Sequence, residues 1–391
     1  MKSLAGYYFL WYLAISVLMP YTSLYFSDKG FSHTTVGFIL SLWALVSIVA
    51  QPAMGIWNDR FQRPRHILVA SVLVSAVLGL GFYWIDGLLG IVVLSVLFTW
   101  FQSSVGPIGD AVAVDIASQR GFSFGSVRLW GALSFAVGTF ATGILYERFG
   151  YNDIFLYYLI VCALVSIMVL FLPKTKTTRS KLTLFGQMGE VVRNKPFILF
   201  TVISMLIMMS GSINLNFLPL YFKELGFDKS WIGSAFAIAA IIEVPMFWVA
   251  AKLSKKIGRY QVLSLAALIY GIQFFLMFAF ADVTLTLAAQ LLNGIAFAFA
   301  AGTAVEVVQS YATDGTKATL QTVYAAVTWG VGGIIGNAMG GIVIDGLGAQ
   351  YLYLFLCVFC VAASLLYLLY RHHQTSAVGT GSIAETESKA F

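Results

Sequence analysis

The chain has 391 residues, of which 59% are hydrophobic and only 10% charged, and its mean hydropathy is +0.86. Soluble globular domains carry charge on roughly a quarter of their residues. A chain this apolar cannot cover its own surface with solvated groups, so a soluble fold is excluded and an all-α polytopic membrane protein is expected. Cys162, Cys357 and Cys360 all lie inside apolar runs, which excludes a disulfide framework. Cys357 and Cys360 form a C-x-x-C within an unbroken apolar segment, and it is read as packing.

A bilayer core needs about 20 apolar residues per helix, and only helices or closed barrels satisfy every backbone group there. The runs are long and do not alternate, which excludes a barrel. In chain order, spans are expected at 5–26, 34–57, 66–85, 88–113, 126–146 and 153–172, then at 197–222, 231–251, 261–281, 284–309, 319–344 and 350–370. The first run follows Lys2 as a signal peptide would, but it is too long and too aromatic, and no A-x-A site ends it.

Twelve spans place both ends on one side. The loops on that side hold Arg60, Arg63 and Arg65, Arg120, the group from Lys174 to Lys195, the group from Lys252 to Arg259, and Lys317. With Lys2, Arg371 and Lys389 they account for 18 of the 23 Lys and Arg, against four (Lys29, Arg148, Lys223 and Lys229) in the opposite loops. Basic loops stay cytoplasmic, so both termini are expected in the cytoplasm of a cell-membrane protein. The net charge of +6 therefore reflects topology and not nucleic-acid binding. The expected organisation is a six-helix bundle over 1–172, a cytoplasmic linker over 173–196, a second six-helix bundle over 197–370, and a disordered tail over 371–391.

The two halves repeat. Tyr25-Phe26, Gly30-Phe31 and Val36-Gly37 recur 196 residues later as Tyr221-Phe222, Gly226-Phe227 and Ile232-Gly233, and Gly106 and Asp110 recur as Gly302 and Glu306. Gly138, Gly143, Glu147 and Gly150 recur 198 residues on as Gly336, Gly341, Asp345 and Gly348. Three regions in one order at nearly one offset indicate a duplicated unit in parallel, the architecture of transporters whose halves rock around a central site. Between spans 2 and 3, Gly55-Ile-Trp-Asn-Asp59-Arg60-Phe-Gln-Arg63-Pro-Arg65 resembles the loop signature of the major facilitator superfamily, with Gln62 where a second glycine is usual. A degraded copy, Lys255-Lys256-Ile257-Gly258-Arg259, restores that glycine. Gly55, Asp59, Arg60 and Arg63 are thus candidates for a gating loop, in which Asp59 pairs with a helix end or a basic group when the inner side closes.

A charge at the bilayer centre costs roughly 2.5–3.5 kcal/mol on insertion scales, so ionisable residues inside spans are functional candidates. They are Asp110 in span 4, Arg128 in span 5, Glu243 in span 8 and Glu306 in span 10. Asp110 and Arg128 flank a short loop at about 114–125, each roughly a turn from its helix end, and are expected to meet as a pair. Glu243 has no basic residue near it in sequence, as suits a proton carrier or a hydrogen-bond donor to substrate. Glu306 mirrors Asp110 without an arginine opposite, and either lines the inner gate or faces a cytoplasmic cavity.

Phe124-Gly125-Ser-Val-Arg128-Leu-Trp-Gly131 and Pro107-Ile-Gly-Asp110-Ala111 are similar to spans 5 and 4 of the lactose permease and phenylpropionate permease branch of that superfamily. Glu243-Val244 and Leu320-Gln321-Thr-Val-Tyr324 also resemble the phenylpropionate pattern. The resemblance implies that Asp110, Arg128 and Glu243 bind substrate. It does not carry over the lactose permease coupling groups of spans 9 and 10, because span 9 here has only Gln273 and span 10 has Asn293 near the histidine's place. Asn214, Asn293 and Gln102 complete the polar candidates for binding substrate or protons, with aromatics such as Tyr12, Trp43 and Trp329 as stacking surfaces.

The reading that follows is secondary active transport by a monomer in the lipid bilayer, with proton-coupled import of a sugar, nucleoside or aromatic carboxylate. The alternatives are a proton-coupled efflux antiporter, weakened because span 5 lacks the Gly-Pro kink of drug antiporters, and a membrane sensor. No H-E-x-x-H, no G-x-S-x-G and no histidine within a span suggests an enzyme, and neither metal nor cofactor is expected.

Overall fold

The computed structural model describes residues 1–173, 191, 193–312 and 316–388, with side chains placed up to Tyr370 except at 317 and 318. Most of the expected linker and its basic residues fall outside the described residues, and the expected tail lies beyond the last described side chain.

Among the described residues there are twelve apolar helices and no strand. Helix α1 comprises Lys2–Leu18, a 3₁₀ turn at Met19–Tyr21 and Thr22–Asp28. Pro20 within that turn has no N–H to offer the regular helix ladder. Then follow α2 (His33–Phe61), α3 (Pro64–Trp84), α4 (Leu88–Arg120), α5 (Phe124–Phe149) and α6 (Ile154–Leu170). The second set is α7 (Lys195–Glu224), α8 (Lys229–Ile257), α9 (Arg259–Ala279), α10 (Val283–Ser310), α11 and α12 (Ala349–Ser388). Helix α11 runs through Lys317–Ala325, a π-helical stretch at Ala326–Val331 and Gly332–Leu347. Eleven of these are long and apolar enough to cross a membrane, while α6, at 17 residues, is shorter. The chain is a multi-pass membrane protein.

Helices α1–α6 pack on one another, as do α7–α12, and the two sets meet mainly along α2 with α11 and α5 with α8. Each of these contacts depends on a glycine pair. A Cβ on Gly37 would strike the Asn337 carbonyl and sit 3.2 Å from Gly341, and one on Gly233 would strike the Thr139 carbonyl and sit 2.9 Å from Gly143. The pairs are related by the repeat, since Gly37 corresponds to Gly233 and Gly143 to Gly341.

The same correspondence governs the turns. Gly30 and Gly226 adopt φ +90° and +71°, and Gly150 and Gly348 adopt +77° and +97°. Gln62 and Gly258, the paired positions of the two signature loops, adopt +50° and +97°. Gln62 is the sole non-glycine with positive φ among the described residues. The turn needs a left-handed residue, which explains why a glycine is usual there. Tyr25 and Tyr221 also play one part, donating to the carbonyls of Phe82 (3.0 Å) and Met277 (2.7 Å) at the ends of α3 and α9.

Candidate functional site

Two glycines let α1 approach its neighbours closely enough to build a polar centre. A Cβ on Gly109 of α4 would overlap the Tyr7 ring, and one on Gly131 of α5 would lie 2.7 Å from the Tyr12 ring. With both side chains absent, the α1 tyrosines lie directly against α4 and α5. The Tyr8 hydroxyl reaches Asp110 and donates to its Oδ1 at 2.5 Å. Tyr12, one turn further along the same face, receives Arg128, whose Cζ stands 4.2 Å from the ring centroid. A guanidinium over an aromatic face is held by the ring quadrupole while its N–H edges remain available.

Asp110 and Arg128 do not form the expected direct pair, because no contact within 4.0 Å joins them among the described residues. The two backbones also lie at different depths. Helix α4 continues to Arg120 and does not end near residue 113, so Asp110 lies ten residues from its end and Arg128 only four from the start of α5. At 1.5 Å per residue those are about 15 Å and about 6 Å from the turn. Arg128 is nonetheless an electrostatic neighbour of Asp110 and also of Glu243 on α8.

Glu243 makes no hydrogen bond or ion pair within 4.0 Å among the described residues, and Tyr12 and Tyr270 share its electrostatic surroundings. Gly294 of α10 sets the depth of α8 here, since a Cβ on it would meet the Glu243 backbone nitrogen at 3.1 Å. Asp110, Arg128 and Glu243 are each half-buried. One base thus stands among two acids contributed by opposite halves of the molecule, against tyrosine rings.

The other candidates lie elsewhere. Glu306 accepts from Ser254 Oγ at 2.7 Å and has Arg259 Nε at 3.7 Å, so it is tied to the second signature loop and does not join the centre. Asn214 is buried with Oδ1 unpaired, while its neighbour Asn216 donates to Asn337 at 2.8 Å. Asn293 and Gln102 are half-buried on α10 and α4. In the first signature loop Gly55 and Asp59 are half-buried and Arg60 and Arg63 exposed, and none of the three charged residues has an ion-pair partner within 4.0 Å among the described residues. A Cβ on Gly55 would meet nothing within 4 Å, so space alone does not demand glycine there.

Polar contacts between the halves gather on the face opposite these basic loops. Asp345 of α11 accepts from the backbone N–H groups of His33 (3.0 Å) and Thr34 (2.7 Å) and sits 2.9 Å from His33 Nδ1. Glu147 of α5 likewise accepts from the N–H groups of Lys229 (2.7 Å) and Ser230 (3.3 Å). Each carboxylate satisfies free N–H groups and the dipole at the start of α2 or α8. Lys223 binds Asp28 at 2.6 Å, and Tyr151 donates to the same carboxylate. Burial pushes the Tyr151 hydroxyl above its ordinary pKa, with the Asp28 bond adding to the effect, so it remains a donor at any physiological pH. Sequence reasoning anticipated Glu147 and Asp345 only as repeat markers, and it missed Tyr8. The one signal for Tyr8 was its one-turn spacing from Tyr12, which does not single it out among 19 tyrosines.

Residues 1–355 match the model of the MFS_1 like family. Maltose permease of Geobacillus stearothermophilus is 27% identical over 373 residues, covering 95% of this chain and 94% of the relative. A probable 3-phenylpropionic acid transporter of Escherichia coli is 24% identical over 360 residues, covering 89% and 90%. The crystal structure of the nucleoside transporter NupG superposes with a TM-score of 0.83 at 16% identity, covering 94% of this chain and 98% of that one. With twelve apolar helices in two repeated sets among the described residues and a charged centre between them, the chain belongs to the MFS_1 like family and is a secondary active transporter of small solutes.

Proposed function

We propose that the protein imports a neutral polyhydroxylated solute, a sugar, together with a proton, by alternating access. The observation that carries this is the charge count at the centre. Asp110 and Glu243 supply two negative charges and Arg128 one positive charge. One proton on either acid makes the site neutral, and a neutral solute can then cross without net charge in a low-dielectric interior. An aromatic carboxylate would add a charge and require a second proton. Arg128 offers unused N–H donors, the acids offer acceptors, and Tyr12 offers a ring face, the combination suited to hydroxyl-bearing rings. The maltose permease likeness over nearly the whole chain supports the same class.

In this reading α1–α6 and α7–α12 move as two bodies. The contacts of Asp345, Glu147 and Asp28 close the outer face, and the unpaired Asp59 belongs to an open inner face. The basic loops lie in the cytoplasm and the outer face is extracellular, following the charge asymmetry. Glu243, free of hydrogen bonds among the described residues and reachable from the other half, carries the proton.

The test is sugar-triggered acidification in proteoliposomes containing a pH dye. Wild type is expected to acidify the lumen with at least one sugar of a panel. Glu243→Gln should lose that signal while keeping exchange of labelled sugar across equal concentrations. A response confined to carboxylates, read by counterflow, would overturn the substrate class, and a proton signal intact in Glu243→Gln would remove its role.

A further inference from the structure

We infer that Tyr8 is a positioning residue that keeps Asp110 from closing on Arg128, and so leaves the guanidinium open to solute and to Glu243. The inference rests on the proposed reading of this centre as the solute site. An aspartate and an arginine sharing a half-buried pocket would ordinarily form a bidentate pair, which satisfies both charges and uses up the arginine's donors. Here they do not. Each is instead engaged by a tyrosine of one helical face: Asp110 takes the Tyr8 hydroxyl at 2.5 Å, and Arg128 lies over Tyr12 with its Cζ 4.2 Å from the ring centroid. Tyr8 donates the only hydrogen bond Asp110 receives from a side chain among the described residues.

Tyr8 cannot swing away easily. It is 1% exposed, with Tyr7 edge-on at 5.4 Å and Phe124 edge-on at 6.1 Å between ring centroids. The Tyr12 ring lies nearly parallel to it at 6.4 Å. Phe124 is the first residue of α5, one turn before Arg128, so the helix that brings the base also braces the ring that holds the acid. A short O–H to carboxylate bond from a fixed ring satisfies the acid without spending the one base in the site. Helix α1 thereby separates acid from base by a single turn, and the positive group stays available to whatever enters between the halves.

The test is Tyr8→Phe, which removes one oxygen and retains the packed ring. Its first readout needs no solute: the rate at which phenylglyoxal modifies Arg128 in the purified full chain, followed by peptide mass spectrometry. Asp110 should collapse onto Arg128 in Tyr8→Phe and slow modification by about tenfold, the scale of a lost hydrogen bond to a charged group. In an Asp110→Asn background, Tyr8→Phe should make no difference. The second readout is exchange of labelled maltose, or of whichever panel sugar wild type exchanges, where Tyr8→Phe should raise KM about tenfold with the maximal rate unchanged. An unchanged Arg128 modification rate in Tyr8→Phe would overturn the inference. So would slowing that persists in the Tyr8→Phe/Asp110→Asn double variant, because Tyr8 would then act without Asp110. Labelling that behaves as expected in a protein that exchanges no sugar would leave the role of Tyr8 standing and overturn the substrate class instead.

Discussion

Arg128 shows why residue type matters more than charge at this centre. Its Cζ stands over the Tyr12 ring, 4.2 Å from the centroid, and a guanidinium carries five N–H donors in a fixed planar fork. An ammonium is a compact, strongly hydrated charge that cannot repeat that geometry. Arg128→Lys is therefore expected to keep the protein folded and the net charge unchanged while raising the KM for solute exchange at least about tenfold, as for loss of a charge-assisted contact. Steady-state exchange in proteoliposomes measures this, and a KM within about twofold of wild type would mean the positive charge alone suffices. Asp110, Arg128 and Glu243 were all legible as candidates, because ionisable residues in apolar spans stand out at once. Their partners were not. Pairing depends on which side chains of another helix reach each charge, here Tyr8 for Asp110 and Tyr12 for Arg128, and spacing along the chain does not reveal that.

Among the elements, the turn from α2 to α3 shows how the repeat constrains local structure. Gln62 closes α2 with φ +50° and ψ +35°, its N–H bonded to the Asn58 carbonyl at 2.9 Å. The matching Gly258 takes φ +97° at no steric cost. A left-handed backbone costs a residue with a Cβ roughly 1–2 kcal/mol, part of which glycine returns through its freer unfolded chain. Gln62→Gly is thus expected to stabilise the protein by up to about 1 kcal/mol. Thermal unfolding in detergent would show a higher midpoint, and a lower one would mean that the Gln62 side chain contributes more than the strain. The glycine pairs at the α2–α11 and α5–α8 crossings work differently. Gly37, Gly143, Gly233 and Gly341 are needed because backbones touch there. The repeat marked all four, but only packing assigned their task.

At the scale of the whole molecule, two helix starts capped from the opposite half and the Lys223–Asp28 bridge hold one face together. If the halves rock, those contacts must break in every cycle. Replacing both Asp28 and Lys223 with cysteine should let a short bifunctional methanethiosulfonate bridge that face, because a lysine side chain spans the gap between the halves there while a direct disulfide needs much closer backbones. Cross-linked protein is expected to lose nearly all transport and to recover it on reduction. Undiminished exchange in the cross-linked double variant would show that this face need not open.

Sequence alone determined the solvent, the spans, the duplication and the family signature. Each depends on composition or on spacing along the chain, and a bilayer imposes both directly on every span. The span limits erred mainly at the basic face, as in α4 and α8, where helices extend beyond the apolar run because water there tolerates charged turns. Tertiary structure alone decided which charge meets which group. Tyr8 rather than Arg128 holds Asp110, Ser254 and Arg259 take Glu306, and Glu243 of one half comes within electrostatic reach of Arg128 of the other. Those choices depend on the relative depth and rotation of helices far apart in sequence, set by glycine contacts such as Gly109 with Tyr7 and Gly131 with Tyr12. A linear pattern carries no record of either quantity.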